Sequence, residues 1–420
     1  MLAYVINQHG EPLMPCSPRK ARLLLKSNKA KVINRTPFTI QLRHGSSGYK
    51  QPITLGVDAG SKMVGLSATT EKKVLFEAET ELRTDIVELL AERASLRKGR
   101  RNRNLRYRPA RFKNRKKQKG WLAPSIQHKI GSHLRLVDLV HKILPVKKII
   151  AEVAAFDIQK IKNPEIAGAE YQQGPQMDFW NVREYVLWRD GHKCRGKEGC
   201  KGKILNVHHI ESRKTGGNAP GNLITLCEKC HDSYHQGKLK LDHKRGKSYK
   251  HQTFMGIMRW AFYNRLKEQY PDVSLTYGYL TKNTRIENAL DKSHRVDARC
   301  ISGNPLAAES NWYKYKFVRG QNRCLHKANP KKGVRKANKA PRYVHGYQLF
   351  DKVDYQGREC FVFGRRTSGY FDLRTLDGEI IHRSASVKKL KLIEKASTLL
   401  CERREGAFLS RLKSRVSSAV

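Results

Sequence analysis

Residues 194–235 read CRGKEGCKGKILNVHHIESRKTGGNAPGNLITLCEKCHDSYH, and two ligand patterns run through each other there. One pairs Cys194-x5-Cys200 with Cys227-x2-Cys230; the other runs His208-His209, Asn222, His231-x3-His235. Four thiolates on two short knuckles satisfy a tetrahedral, structural Zn2+. Once sulfur fills that tetrahedron, the histidines and the asparagine need another purpose. Unrelated buried cysteines, or a purely structural finger with spare histidines, would leave the interlocking unexplained.

His208 and His209 end the apolar run Ile204-Leu205-Asn206-Val207. Neighbours on a strand face opposite sides, so one imidazole can hold a metal while the next addresses a water. The reading gives the metal to His208 and the general-base role to His209, since an ordinary imidazole titrates near neutrality. Asn222 would fix the loop and orient the His209 ring. His231 and His235 share a helical face, with His231 the preferred second ligand and His235 its alternative. A Mg2+ held there suits phosphodiester hydrolysis, because it stabilises charge on the phosphoryl group and the leaving 3′-oxygen. This is the His-Asn-His order of a one-metal nuclease.

Composition points the same way. The 420 residues carry 84 Lys+Arg against 37 Asp+Glu, a net charge of +47. Self-repulsion on that scale opposes compaction unless a polyanion relieves it, and nucleic acid is the obvious partner. A solubilising surface would mix both signs. No long amphipathic basic helix with an aromatic face argues for a membrane surface, and no apolar run is long enough to span a bilayer. The start Met1-Leu2-Ala3-Tyr4-Val5-Ile6 lacks the features of a signal peptide. Of nine cysteines, Cys16, Cys300, Cys324, Cys360 and Cys401 are scattered without pairing spacings, which predicts reduced thiols and a cytoplasmic protein.

The chain divides into several modules. Residues 1–50 predict strands at Tyr4–Ile6, Lys31–Ile33 and Phe38–Leu42 and a basic helix over Pro18–Asn28. Ile53–Asp58, Met63–Thr69 and Lys73–Glu79, separated by short turn-like gaps, predict an antiparallel meander. A helix through Ile86, Leu89 and Leu90 runs into a basic tract, Arg97 to Lys119, in which thirteen of 23 residues are Arg or Lys and none is acidic. Pro109 should break that helix. Further helices are expected over His128–Ile143, Thr253–Gln269 and Thr284–Ser302, with strands at Lys148–Val153 and Ser274–Tyr279. The first of these strands is apolar on both faces, as in a buried parallel strand. Asn311–Pro341 reads as an extended basic segment whose Trp312, Tyr313, Tyr315 and Phe317 either stack on RNA or join a core. Beyond it, strands at Tyr347–Phe350, Cys360–Phe363 and Tyr370–Leu373 predict a small β-barrel, followed by a basic helical tail.

A second, acidic site is split across the chain. Asp58 ends a buried strand, where an aspartate is more often a turn residue. Glu152 interrupts the apolar run Ile149-Ile150-Ala151-Glu152-Val153, a costly place for a carboxylate unless it is paired or bound to a metal. His294 and Asp297 share a helical face. Together these four could hold two Mg2+ about 4 Å apart for in-line attack on a phosphodiester; spacing alone leaves this open.

The order of parts resembles the RuvC-plus-HNH nucleases, and Pro12-Leu13-Met14-Pro15 resembles the signature of the PLMP domain of the IscB family, transposon-encoded RNA-guided DNA endonucleases regarded as ancestral to the type II CRISPR effectors. The likeness rests on specific motifs over residues 1–300 and only on position beyond 310. It implies an α+β multidomain protein: PLMP domain 1–50; RuvC segments 51–82, 121–170 and 251–305; arginine-rich bridge helix 83–120; HNH domain 171–250 with four-cysteine zinc knuckles; and a C-terminal region 306–420. The RuvC core would be RNase H-like, assembled from three segments around an inserted ββα-metal HNH domain. The resemblance implies that Asp58, Glu152, His294 and Asp297 cut the displaced non-target strand, with Mg2+ on Asp58, Glu152 and Asp297. His208, His209, Asn222 and His231 would cut the guide-paired strand. The large CRISPR effectors usually carry Asp where His208 stands; His is also an accepted ligand there.

Arg97, Arg100, Arg101, Arg103, Arg106, Arg108, Arg111, Lys113 and Arg115 would grip nucleic-acid backbones, projecting all round a helix that resembles the bridge helix on the guide's seed. The expected partners are a guide RNA with a structured scaffold and a double-stranded DNA target with an adjacent motif, in a monomeric ribonucleoprotein. Base pairing would read the target while the protein reads the short adjacent motif. Candidate readers in the C-terminal region include Arg365, Arg366, Arg374 and Arg383. Two other readings remain: a protein-guided HNH endonuclease of restriction or homing type, which would cut without RNA, and a non-enzymatic ribonucleoprotein scaffold, which would waste two sets of catalytic residues.

Overall fold

Three apolar runs joined by tight turns are placed to pair with one another, and the meander forms as expected. The computed structural model describes residues 2–102, 120–153, 181–212, 217–246, 250–308, 311–320, 326–327, 336–337 and 340–406. It comprises two units, Met1–Ala154 with Ile257–Val420, and Ala155–Gly256. The Pro109 helix break, the basic residues from Arg103 to Lys119, Cys324 and the C-terminal tail beyond 406 lie outside the described residues.

The first unit opens with strands β1 (Ala3–Ile6) and β2 (Pro12–Cys16), helix α1 (Pro18–Lys26), and strands β3 (Ala30–Asn34) and β4 (Thr39–Leu42), in sheet order β2-β1-β4-β3. Pro12-Leu13-Met14-Pro15 lies in β2. It lies at an edge, where proline's missing N–H costs no ladder bond. Ser17 caps α1 by accepting from the Lys20 N–H at 3.3 Å, with Pro18 in the first turn.

The meander β5 (Thr54–Asp58), β6 (Met63–Thr69) and β7 (Val74–Glu81) is followed by α2 (Ile86–Arg101), α3 (Pro124–His141) and β8 (Lys148–Val153). β8 lies parallel to β5, as its two-sided apolar pattern predicts.

The second unit contains α4 (Val182–Arg189), the antiparallel hairpin β9 (Leu205–His209) and β10 (Leu223–Cys227), and α5 (Glu228–His235), a ββα arrangement. Ile224, Leu226 and Leu239 pack with three of the cysteines as its core. Asp190 accepts from Arg189 at 2.8 Å and from the Thr225 N–H at 2.9 Å, tying the end of α4 to the hairpin.

Helix α6 (Lys250–Gln269) leads back to the first unit, which continues through β11 (Val273–Tyr277), α7 (Gly278–Glu287), α8 (His294–Ile301) and β12 (Trp312–Phe317). The expected helix over Thr284–Ser302 is therefore two. Ala289 takes a left-handed φ of 49° after α7, and the Ser293 hydroxyl accepts from the Val296 N–H at 3.3 Å to start α8 afresh. The segment expected to be extended from Asn311 instead enters the large sheet as β12. Its alternation buries Tyr313, Tyr315 and Phe317, so these three rings are core rather than RNA platforms. After a two-residue pair, β13 (His326–Lys327) and β14 (Lys336–Ala337), come β15 (Lys352–Tyr355), β16 (Arg358–Arg365), β17 (Tyr370–Arg374), β18 (Ile380–Ser386), β19 (Leu390–Glu394) and β20 (Leu399–Arg404).

The large sheet has the order β11-β8-β5-β6-β7-β12-β20. The C-terminal strands form a five-stranded antiparallel sheet, β18-β17-β16-β15-β19, an open order where the sequence suggested a barrel. Tyr347–Phe350, expected as a strand, is irregular: an isolated bridge joins Val344 to Tyr347 across a turn with positive φ at His345 and Gly346, and Phe350 also takes a positive φ. Among the described residues no helix is long and apolar enough to cross a membrane.

Two glycines set the depth at which α8 meets the large sheet. A Cβ on Gly56 would collide with the Ala298 carbonyl, and one on Gly65 with the His294 carbonyl. Glu77, fully buried on β7, receives Arg299 at 2.8 Å and Arg295 at 3.2 Å, so its charge is paired and α8 is locked in rotation.

Candidate metal centres

The cysteine knuckles close on one point. A tetrahedral ion with Zn–S bonds of about 2.3 Å spaces its sulfurs about 3.8 Å apart. Cys200 Sγ lies 3.6 Å from Cys227 Sγ and 3.7 Å from Cys230 Sγ, and the four sulfurs, Cys194 included, all lie within 4.8 Å of one another. Backbone N–H groups of Gly196 and Cys227 donate to Cys194 Sγ at 3.3 and 3.1 Å and fix its position. The Gly202 N–H bond lowers the Cys200 thiol to about 7, while burial raises Cys227 and Cys230. The knuckles also require glycine: a Cβ at Gly202 would overlap the Cys227 side chain, and one at Gly196 would press on Cys230. The donor set and spacing fit a structural zinc ion.

A second cluster stands on the same hairpin and helix. Ligand atoms of His208, His231 and His235 lie within 4.8 Å of one another, with the Nε2 atoms of His231 and His235 3.3 Å apart. The structure thus brings both α5 histidines to His208. His208 is buried at the end of β9, and its Nε2 has no hydrogen-bond partner among the described residues. Burial, followed by the charges of His231, His235 and His209, pushes it down to about 4, so it presents a lone pair at neutral pH. An orphaned, neutral imidazole nitrogen facing two more imidazoles fits a divalent ion.

His209 points the other way, as strand alternation predicts. Its Nε2 lies 3.0 Å from Asn218 Oδ1, and an amide oxygen only accepts, so the ring proton belongs on Nε2 and Nδ1 is left to receive one. Asn218, in a turn with Gly217, was not among the expected site residues; the orienting task was expected of Asn222. Asn222 fixes the loop, the first half of its expected role: its Oδ1 accepts from the Glu211 N–H, and its Nδ2 donates to the Glu211 and Gly217 carbonyls, each at 2.9 Å.

The acidic set converges at one end of the large sheet. Asp58 closes β5, Glu152 lies next to the end of β8, and His294 and Asp297 occupy the first turn of α8. His294 Nδ1 contacts Asp58 Oδ2 at 2.6 Å, and this bond raises the imidazole. Glu152 is pushed up to about 7 by burial and by Asp58, with Arg259 opposing. Burial and Asp58 likewise raise Asp297. Carboxylates that repel one another in a desolvated corner fit a hard cation.

Among the described residues, however, only the cysteine and histidine groups gather three or more donors within 4.8 Å. The acidic site is more open because two arginines that the sequence reading did not single out hold its carboxylates. Arg259 binds Glu152 at 3.0 Å and the Ala59 carbonyl at 2.7 Å; Arg285 binds Asp297 at 2.9 Å. The available signal was a lone arginine in the apolar stretch Met258-Arg259-Trp260-Ala261-Phe262.

The proposed nucleic-acid residues are only partly described. Arg97 and Arg101 are exposed on α2, and Arg100 belongs to the same helix. Arg103, Arg106, Arg108, Arg111, Lys113 and Arg115 lie outside the described residues. Of the C-terminal candidates, Arg374 pairs with Asp372 at 2.6 Å and Arg366 donates to Ser384 at 2.7 Å.

Two family models match the chain: one described as RRXRR protein over residues 3–174, the other as HNH endonuclease over residues 192–237. A stretch of 71 residues is 46% identical to the protein named Anaredoxin from Nostoc sp. (strain PCC 7120 / SAG 25.82 / UTEX 2576), covering 16% of this chain and 79% of that protein.

Proposed function

We propose a division of labour for a chain whose kinship is plain: it is an IscB-like protein, one stretch of it is related to Anaredoxin, and its HNH domain makes it a DNA endonuclease. The HNH centre cuts the guide-paired strand, the acidic centre cuts the displaced strand, and an RNA bound by the basic surface selects the target. The observation that carries this reading is the meeting of Asp58, Glu152, His294 and Asp297, drawn from distant parts of the chain, at one sheet end.

The core reads as RNase H-like, split in three. An antiparallel meander is extended on its β5 side by the parallel strands β8 and β11, with Asp58 on the first strand and Glu152 beside it. On this reading residues 1–50 form the PLMP domain, 51–82, 121–170 and 251–305 the three RuvC segments, 83–120 the bridge helix, 171–250 the HNH domain and 306–420 the C-terminal region. The C-terminal sheet and the segment around it serve to contact RNA and the target-adjacent motif. The RRXRR match supports RNA association.

In the HNH centre, His208 with His231 and His235 holds the divalent ion that HNH nucleases use, proposed as Mg2+. That ion, when bound, supplies charge stabilisation for the phosphoryl oxygens and the leaving 3′-oxygen. His209 takes the proton of the attacking water on Nδ1, the tautomer being set by Asn218. Asn222 keeps the loop after β9 in place. The four thiolates hold zinc and join β10 to the knuckles. In the acidic centre Asp58, Glu152 and Asp297 bind Mg2+, and His294, hydrogen-bonded to Asp58, stands ready to exchange a proton near the scissile bond.

Two measurements test this. RNA that co-purifies with the chain should be sequenced, and DNA cutting compared with and without it. Sequence-specific cutting that survives complete RNA removal overturns the guided reading in favour of a self-guided endonuclease. Strand-resolved assays should find that His209→Ala retains only the displaced-strand nick and Asp58→Ala only the guide-paired-strand nick. Loss of both cuts from Asp58→Ala would mean a single shared site.

A further inference from the structure

Beside Glu152 lies an exposed aromatic pair that no catalytic role absorbs. Strand β11 pairs with β8 so that Thr276 is opposite Glu152 and Tyr277 opposite Val153, the last residue of β8. The chain then turns at Gly278 into α7. At Gly278 the backbone lies so close to the acidic centre that an added Cβ would sit 3.2 Å from Glu152 Oε1. Tyr277 and Tyr279 flank this glycine with ring centroids 6.1 Å apart and planes within 15° of parallel. Tyr277 is 36% and Tyr279 63% exposed.

Exposed aromatic side chains that cluster mark an interaction surface more often than rings exposed singly. Tyr277 ends β11 and Tyr279 lies in the first turn of α7, at the carboxyl ends of the parallel strands, where ligands of open sheets bind. They also adjoin the carboxylates proposed to act on a phosphodiester. A near-parallel, partly exposed pair matches the flat face of a nucleobase, whereas in a duplex the base faces are already stacked on each other. Stacking of this kind tolerates any sequence, because every base has a π-face.

We propose that Tyr277 and Tyr279 form a stacking platform that holds a base of single-stranded DNA next to the phosphodiester cut at the acidic centre. The inference rests on the reading of that centre as a nuclease site, and it adds two residues that position the single strand there. Gly278 lets the platform approach the carboxylate. The platform fixes the strand's position, and Asp58, Glu152 and Asp297 act on the phosphate beside it.

The test uses the full chain and single-stranded oligodeoxynucleotides carrying one 2-aminopurine, with Ca2+ in place of Mg2+ to slow cleavage. Moderately high salt should suppress backbone binding by the remaining basic surface. Wild type should quench the 2-aminopurine by stacking. Tyr279→Ala should remove the quench and weaken single-strand binding by roughly 5- to 150-fold, the range for loss of one base–aromatic stack, with duplex binding unchanged. Tyr279→Trp should restore both. In Mg2+, Tyr279→Ala should raise KM for the single strand far more than it lowers kcat.

Quenching and affinity unchanged in both Tyr279→Ala and Tyr277→Ala overturn the platform. So does equal weakening of single-strand and duplex binding. Asp58→Ala separates the two ideas: it should abolish single-strand cleavage while leaving the quench intact. If cleavage persists in Asp58→Ala, the reading of the acidic centre fails. If cleavage is lost in Asp58→Ala but the tyrosine variants bind normally, only the platform fails.

Discussion

The histidine centre takes its ligands from one hairpin and the helix that follows it, and its loop, tautomer and knuckles are all set within the same stretch. The acidic centre takes one residue from β5, one from β8 and two from α8, and depends on strand pairing across the unit and on the depth at which α8 settles. Its carboxylates are held by arginines rather than gathered on a point. A locally built centre stands or falls with its metals. A centre assembled at long range should instead respond to packing changes far from any ligand.

The largest effect should come from the zinc knuckles. Structural zinc contributes an apparent free energy of about 10–16 kcal/mol in small domains, far more than a hairpin and a helix can supply by packing. Cys227→Ser should therefore lose the metal and unfold the region around residues 194–235. The guide-paired-strand cut should disappear, while the displaced-strand nick persists once the chain is loaded on DNA. Metal content by plasma emission together with circular dichroism checks this, and full retention of both would remove zinc from the account.

The next test aims at packing. Gly65→Ala adds one methyl where the His294 carbonyl crosses β6. The helix must lift, at about 3 kcal/mol in a well-packed contact, taking His294 and Asp297 away from Asp58. We expect a lower thermal midpoint and loss of the displaced-strand nick, with the guide-paired-strand cut preserved. Equal loss of both cuts would mean that the centres are not separable in this way.

These contrasts bear on what the sequence could reveal. The knuckles and the His-Asn-His series were legible because each ligand lies within a few residues of a turn or a helical repeat that fixes its direction. The meander and β8 were legible from their apolar runs. Asp58, Glu152 and Asp297 were nameable as costly carboxylates, but nothing local says that they meet; that needs the parallel pairing of β8 with β5 and two glycines beneath α8. Arg259 and Arg285 escaped notice because an arginine's partner is chosen by tertiary geometry. The split of Thr284–Ser302 into two helices was missed because Asn288 and Ser293 read equally well as exposed helix and as caps. Tyr313, Tyr315 and Phe317 were ambiguous until β12 found β7 and β20.

The two centres should also respond oppositely to pH. Glu152 is raised from 4.5 to about 7, so between those values the folded state binds more protons than the unfolded one. Its stability contribution is therefore lost as pH rises through that window. His208 is lowered from 6.5 to about 4, so its unit loses stability as pH falls from 6.5 toward 4. Glu152→Gln, which keeps an oxygen for Arg259, should raise metal-free stability by about 2 kcal/mol at pH 8 and by little at pH 4.5, while abolishing the displaced-strand nick. Denaturant melts at the two pH values decide it; no gain at pH 8 would mean that Arg259 already offsets the repulsion from Asp58.

The smallest effect distinguishes two asparagines of the same loop. Asn222 makes three 2.9 Å bonds that hold residues 211 and 217, whereas Asn218 makes a single 3.0 Å bond to His209. Asn222→Ala should misplace the whole loop and cost stability as well as rate. Asn218→Ala should leave the fold intact and free the His209 ring between tautomers, at about 1 kcal/mol in the barrier, or roughly fivefold in the guide-paired-strand rate. Asn218→Asp is the sharper probe, because a carboxylate on Nε2 should raise the imidazole and move the pH–rate profile of that strand upward. The displaced-strand profile should stay where it was. An unmoved profile would return the orienting role to the backbone of β9, and the local centre would then be more rigid than its side-chain bonds require.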